Sequence, residues 1–296
     1  MPQLSRKHTI LYLTFLVLMW GVNWPLSKYA LDFTPPILFA GLRTFIGGLL
    51  LIAIAVPRWR QLRLRETWHI YLLSAFLSIV FYYGFQTIGL QYLPAGLFSA
   101  IVFLQPVLVG LFAWVWLGEQ MYGRKMFGLL VGFAGVAAMS LGGLEGGVSW
   151  AGIALALASA LSWALGTIFV KRTSVKVDSL WMTAMQITIG GIVMLGYGSA
   201  TENWSAIHWT ESFVLDTLFI SIFVIALGWL VYFKLIGSGE ASTVASFTFL
   251  IPVVSIICSV LFLNEHVTLN LAAGLLLIVI SILLVNVKPK RLKSAS

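Results

Sequence analysis

The sequence predicts an all-α membrane protein: ten transmembrane helices arranged as two inverted five-helix repeats around a central cavity. Three observations predict it. The 296-residue chain is 60% hydrophobic and only 9% charged, whereas soluble domains carry about 25% charged residues. Hydrophobic stretches of about 20 residues, the length that crosses a hydrocarbon core of roughly 30 Å, follow one another almost without pause. Finally, the chain repeats itself. Trp20, Lys28 and Gly47-Gly48 recur as Trp163, Lys171 and Gly190-Gly191 at an offset of 143, and Pro106, Glu119 and Gly128 recur as Pro252, Glu265 and Gly274 at an offset of 146.

The spans fall at approximately 9–31, 36–56, 69–91, 94–117, 125–142, 150–170, 179–199, 213–235, 241–263 and 268–287. Residues 1–142 form the N-terminal repeat, 143–149 the outer linker, and 150–296 the C-terminal repeat with a basic tail. Five spans per copy is an odd number, so the second copy enters the membrane the opposite way up from the first, an arrangement found in transporters. The first stretch has no small-residue cleavage site and is followed at once by a second span, so it reads as a retained helix. The glycine-rich run from Gly142 to Gly147 bridges the copies, and the acidic outer loop from Glu202 to Glu211 carries Trp204 and Trp209, which read as interfacial anchors.

The net charge is +8, and its distribution decides what it means. With the N-terminus inside, sixteen of the eighteen basic residues fall in inner segments, and only Lys28 and Arg43 do not. Such an excess places both termini in the cytoplasm of a plasma-membrane protein. The basic residues are then topology signals and contacts for anionic lipids at the inner face, not a nucleic-acid surface. Cys258, the only cysteine, has no partner for an internal disulfide.

Polar and aromatic residues within the spans mark a candidate cavity. Trp20, Asn23, Trp24 and Ser27 follow i, i+3, i+4, i+7 spacing and share one helix face. Their counterparts are Trp163, Gly166, Thr167 and Val170, a less polar version of the same face. Tyr82, Tyr83 and Gln86 come from the third span, Gln105 from the fourth, Gln186 from the seventh, and Trp229 and Tyr232 from the eighth. The alternative for each is an interhelical hydrogen bond or a core aromatic. Arg43, about two turns into the second span, costs roughly 3 kcal/mol on insertion scales unless paired or hydrated. It either receives a substrate carboxylate, or snorkels outward, or pairs with Asp32 or Asp216 near the outer helix ends.

Pro25, Pro106 and Pro252 lie inside spans and predict kinks, each freeing a carbonyl that must face protein or a wet cavity. Glu119 and Glu265 sit where the fourth and ninth spans end and read either as gates or as solvated helix ends; Arg124 or Lys125 is the expected partner for Glu119. Gly128 and Gly132, with Gly135 beyond, make a close-packing helix face, within the protomer or across a homodimer. The middle of the spans holds no Asp, Glu or His, so no intramembrane proton relay is evident and the chain reads as a facilitator. It has no catalytic set of an intramembrane protease or transferase, no metal-ligand motif and no cofactor motif.

The runs Leu18-Met19-Trp20-Gly21-Val22-Asn23-Trp24, Leu104-Gln105-Pro106-Val107 with Leu117-Gly118-Glu119, and Leu250-Ile251-Pro252-Val253 with Leu263-Asn264-Glu265 resemble the drug/metabolite transporter superfamily, and within it the EamA-like ten-helix family. The resemblance spans nearly the whole chain. It implies a five-plus-five bundle in which spans 1–4 and 6–9 surround the path, and export of amino acids and related metabolites or of drug-like cations. The sequence therefore predicts an exporter of small metabolites such as amino acids, with polyspecific cation efflux, or a membrane receptor or enzyme, as the alternatives. Where the copies differ, Arg43 against Gln186, Asn23 against Gly166 and Gln105 against Ile251, the more polar member is in the first, which is expected to hold a substrate's polar group.

Overall fold

A computed structural model describes residues 4–93, 95–140, 149–263 and 269–286, which hold helices and turns and no strand. The helices are α1 (Arg6–Ala30), α2 (Pro36–Ala55), α3 (Leu64–Gly89), α4 (Ala95–Val102), α5 (Gln105–Leu117), α6 (Gly123–Ser140), α7 (Trp150–Thr173), α8 (Ser179–Thr201), α9 (Glu211–Ser238), α10 (Ala241–Ser246), α11 (Leu250–Leu263) and α12 (Leu269–Asn286). Among the described residues α1, α2, α3, α7, α8 and α9 are long and apolar enough to cross a membrane.

The fourth and ninth stretches each carry an irregular turn just ahead of their proline. α4 stops at Val102 and α5 starts at Gln105, while α10 is joined to α11 by a 3-10 turn at Phe247–Phe249. Pro106 is the second residue of α5 and Pro252 the third of α11. A first-turn proline lacks only an N–H that has no intrahelical partner anyway. Both prolines therefore sit in the first turn after an irregularity, at the places where the sequence predicts kinks. Pro25 differs: α1 runs through it unbroken.

α3 and α9 each contain a π-helical segment, Phe76–Val80 and Ile220–Gly228. Such segments shift the backbone ladder and leave carbonyls to be satisfied from outside the helix. Ser162 Oγ donates to the Leu77 carbonyl at 2.6 Å, and Trp20 Nε1 donates to the Val224 carbonyl at 3.1 Å. The helix ends are closed in the same way. The Glu202 carboxylate accepts from the amides of Ile37 (3.0 Å) and Leu38 (2.7 Å) at the start of α2, and Asp178 accepts from Leu180 and Trp181 at the start of α8. Lys28 Nζ donates to the Leu90 carbonyl, just beyond α3, at 2.9 Å. Lys171 Nζ donates to the carbonyls of Ile236 and Gly239 at the end of α9. Leu90 and Ile236 are themselves 146 residues apart, so the repeated lysine has one job in both copies: a cation on the carbonyl end of a helix.

The packing is unchanged when the copies are exchanged. α2 lies along α8, and α6 along α12; α1 packs on α9 and α11, as α7 packs on α3 and on α4 with α5. The repeated glycines set the α2–α8 distance. A Cβ on Gly48 would lie 2.7 Å from Thr188 Cα, and one on Gly191 would lie 2.6 Å from Phe45 N, and Phe45 and Thr188 are 143 apart. Gly128, Gly132 and Gly135 all face α12, so this small-residue face is used inside the protomer.

Gly191→Val should therefore force the α2 and α8 backbones apart and cost about 1–3 kcal/mol, as overpacking does. Gly196→Ala, on the same helix with nothing within 4 Å of its Cβ, should be neutral or stabilising by up to about 1 kcal/mol. Thermal melting of the two detergent-purified variants checks both.

Candidate functional site

Five aromatic rings converge where α1, α3, α7 and α9 meet. The Trp20 ring lies 5.4 Å from Trp163, 5.2 Å from Trp229 and 5.1 Å from Tyr232, and Tyr82 lies 5.2 Å from Trp163 and 5.9 Å from Trp229. These are edge-on and tilted contacts, the arrangements that ring quadrupoles favour. Trp20 and Trp163 are repeat counterparts. So are Tyr83 and Trp229, and Trp229 Nε1 donates to the Tyr83 hydroxyl oxygen at 2.7 Å. Residues that occupy matching places in the two copies thus meet each other at the centre.

Around these rings Trp20, Asn23, Trp24, Tyr82, Tyr83, Phe103, Trp163, Val224, Trp229 and Ile251 line a cavity of about 10 Å³, room for about one water molecule. The side chains fill the centre and close it. On one side, the Tyr232 hydroxyl takes a hydrogen bond from Gln105 Nε2 at 3.2 Å and shares one with Thr167 Oγ1 at 3.0 Å, which ties α9 to α5 and α7.

On another side, Arg43 is fully buried, not snorkelled. Its guanidinium carbon sits 4.7 Å from the centroids of both the Phe39 and the Tyr83 rings. Nη1 donates to Ser27 Oγ at 2.8 Å, and Ser27 donates to Asn23 Oδ1 at 3.1 Å, which links the arginine to the cavity wall. Each desolvated cation–π contact contributes about 2 kcal/mol, comparable with the roughly 3 kcal/mol insertion cost. Neutral partners therefore hold the charge, and Nε and Nη2 have no hydrogen-bond partner among the described residues.

Asp216, one of the two acids the sequence offered as a partner for Arg43, makes no ion pair with it within 4.0 Å. It lies in the second turn of α9, is only 8% exposed, and among the described residues neither buried carboxylate oxygen has a hydrogen-bond partner. α2 packs along this part of α9, and the Phe39 and Phe213 rings, about one turn before Arg43 and Asp216, lie 6.3 Å apart. A signal existed: Asp216, Ile220 and Val224 share one helix face, and Val224 lines the cavity. Phe103 and Ile251 were missed for want of polarity; they reach the cavity because both chains break nearby.

Other expected residues stand apart. Gln186 faces α3, where its Oε1 accepts from Ser74 Oγ. Gln86 is fully buried with neither amide atom partnered among the described residues, and it is not among the cavity-lining residues. Glu119 caps α10, accepting from the amides of Ala241 at 2.6 Å and Ser242 at 3.3 Å, with Lys125 Nζ 3.8 Å away and a further Lys125–Glu240 bridge at 3.0 Å. Glu265 lies outside the described residues. Tyr83→Phe should leave Trp229 Nε1 buried without an acceptor and cost about 1–3 kcal/mol in a thermal melt. Glu119→Ala should uncap α10 at about 1 kcal/mol, read as faster amide deuterium uptake over residues 241–246 with α2 unchanged.

The sequence profile described as the EamA-like transporter family matches the chain twice, over residues 7–141 and 150–287. The chain is 62% identical, over all of its length and 97% of the relative's, to the uncharacterized transporter YvbV of Bacillus subtilis (strain 168). It is 29% identical, across 90% of each chain, to a probable amino-acid metabolite efflux pump of Escherichia coli (strain K12). A solved crystal structure superposes with a TM-score of 0.82 at 21% identity, over 95% of this chain and 97% of the other, and so has the same fold.

Proposed function

Given that this chain belongs to the EamA-like transporter family, and is thus a multi-pass membrane transporter, we propose that it exports amino acids or close metabolites by alternating access. The observation that carries this reading is Arg43: a buried cation with free N–H groups, beside an aromatic centre, suits a solute with a carboxylate and an apolar part. The name of the Escherichia coli relative points the same way. In this reading the chain is two inverted five-helix repeats, 1–142 and 150–296, joined by the linker 143–149, with ten spans. Both termini lie on the cytoplasmic side of the plasma membrane, where basic residues contact anionic lipids.

The closed centre corresponds to one state of the cycle. Opening it requires the rings contributed by α1, α3, α7 and α9 to part, and the breaks at residues 103–104 and 247–249 give α4/α5 and α10/α11 places to bend. Glu119, which ties α5 to α10, would have to release on the side where it sits. Flux down the solute gradient drives the cycle, as a monomer or homodimer. A second reading, efflux of lipophilic cations, is favoured by the five-ring cage, because ring faces attract desolvated cations.

In proteoliposomes a labelled amino-acid panel should show flux that persists when the pH gradient is collapsed. Arg43→Ala should reduce that flux by about tenfold or more, the worth of a hydrogen-bonded charge. Flux of a lipophilic cation that survives this substitution, with none for any amino acid, would replace the first reading by the second.

A further inference from the structure

We propose that Arg43 and Asp216 together read a zwitterion: Arg43 takes the carboxylate of an amino acid, and Asp216 takes its α-ammonium. The inference rests on the amino-acid reading above and deepens it by giving Asp216 a role and the site a charge rule.

Arg43 and Asp216 lie at the same level of the α2–α9 contact: about one turn before them the Phe39 and Phe213 rings are 6.3 Å apart, and about one turn after them a Cβ on Gly47 would lie 2.7 Å from the Ser221 carbonyl oxygen. Two buried opposite charges so placed are ordinarily paired with each other. Here they are not. Among the described residues no ion pair within 4.0 Å includes either one. Arg43 is held instead by Ser27 and by the rings of Phe39 and Tyr83, all neutral, which fix its plane without using its charge. Nε and Nη2 are left over, and both oxygens of Asp216 are left over with them. Nε–H and the outer Nη2–H run parallel along one edge of a guanidinium, the edge that accepts a carboxylate in a two-bond fork. The unfilled donors are therefore a matched pair, and the unfilled acceptors are a single carboxylate.

A molecule carrying a carboxylate and an ammonium on one carbon supplies what each side lacks. An amine without the carboxylate leaves the arginine fork empty, and an acid without the ammonium leaves Asp216 buried and unmet. The third substituent on that carbon has a direction too. Tyr83 stacks on Arg43 and accepts from Trp229, and Ser27 and Asn23 lead from Arg43 to the cavity wall, so an apolar side chain would lie toward Trp20, Tyr82, Trp163 and Trp229. The two charged residues come from α2 and α9, in different copies of the repeat. Neither has a charged counterpart: Gln186 answers Arg43, and Ile70 stands where Asp216 would repeat.

The test uses full-length protein in proteoliposomes and three probes of one shape: leucine, 3-methylbutylamine, which lacks the carboxylate, and 4-methylpentanoate, which lacks the ammonium. A labelled panel of the common amino acids runs beside them. In wild-type protein leucine, or whichever panel member moves fastest with its own amine and acid, should be preferred over both analogues by about tenfold or more. Asp216→Asn should abolish the preference over the acid and keep that over the amine, and Arg43→Gln should do the reverse. The opposite directions distinguish lost recognition from misfolding, which would lose all flux, and the wild-type ranking needs no variant. Equal handling of amino acid, amine and acid by wild-type protein overturns the proposal. So does an Asp216→Asn protein that transports with its discrimination intact. Both outcomes leave amino-acid transport standing, whereas no flux of any panel member removes that reading and this one together.

Discussion

Hydrocarbon offers no partner to a freed backbone group, and the structure is organised around that constraint. Several irregularities and helix ends are repaired by side chains from elsewhere in the bundle. The π segments of α3 and α9 receive Ser162 and Trp20, the ends of those two helices receive Lys28 and Lys171, and the start of α10 receives Glu119. These repairs are also the ties between elements. A bundle closed by backbone repair comes apart only along the surfaces where side chains, not glycine-spaced backbones, make the contact.

Two kinds of contact divide the molecule accordingly. Between α2 and α8, and between α6 and α12, glycines bring backbones close enough that a single Cβ would intrude. Close packing of this kind transmits strain and resists deformation. At the centre the contact is ring on ring, with side-chain hydrogen bonds from Trp229 to Tyr83 and from Gln105 to Tyr232. Rings can rotate and separate at the cost of a few weak contacts. In the alternating-access proposal the aromatic centre is where the copies part, and the glycine-packed pairs move as units.

Much of this was legible in the sequence, for identifiable reasons. Hydropathy and the 143- and 146-residue offsets gave the helical stretches and the duplication, since both are properties of the chain. The helical spacing of Trp20, Asn23, Trp24 and Ser27 gave a shared face, and that face is buried at the centre. Gln186 shows where the reasoning stops. As Arg43's counterpart it was expected in the same cavity, but it meets Ser74 on α3 instead. Asp216 was offered as a partner for Arg43, but nearness to the same side of the membrane does not decide whether two side chains touch, and no contact pair forms among the described residues. The exact form of the irregular turns ahead of Pro106 and Pro252 was also hidden, since a proline within an apolar run marks a disturbance without fixing its geometry.

The sequence by itself determined the membrane environment, the two copies and the residue types from which a site can be made, because composition and period are fixed before folding. Only the tertiary structure decided that the copies meet through their own counterparts, Trp20 with Trp163 and Tyr83 with Trp229. It alone brought a buried carboxylate from the second copy to the level of a buried arginine from the first, with donors and acceptors of both left unpartnered among the described residues. Spacing along one helix reports which residues share a face. Which faces of different helices come together depends on packing distances set by glycines far along the chain, and no local pattern carries that information.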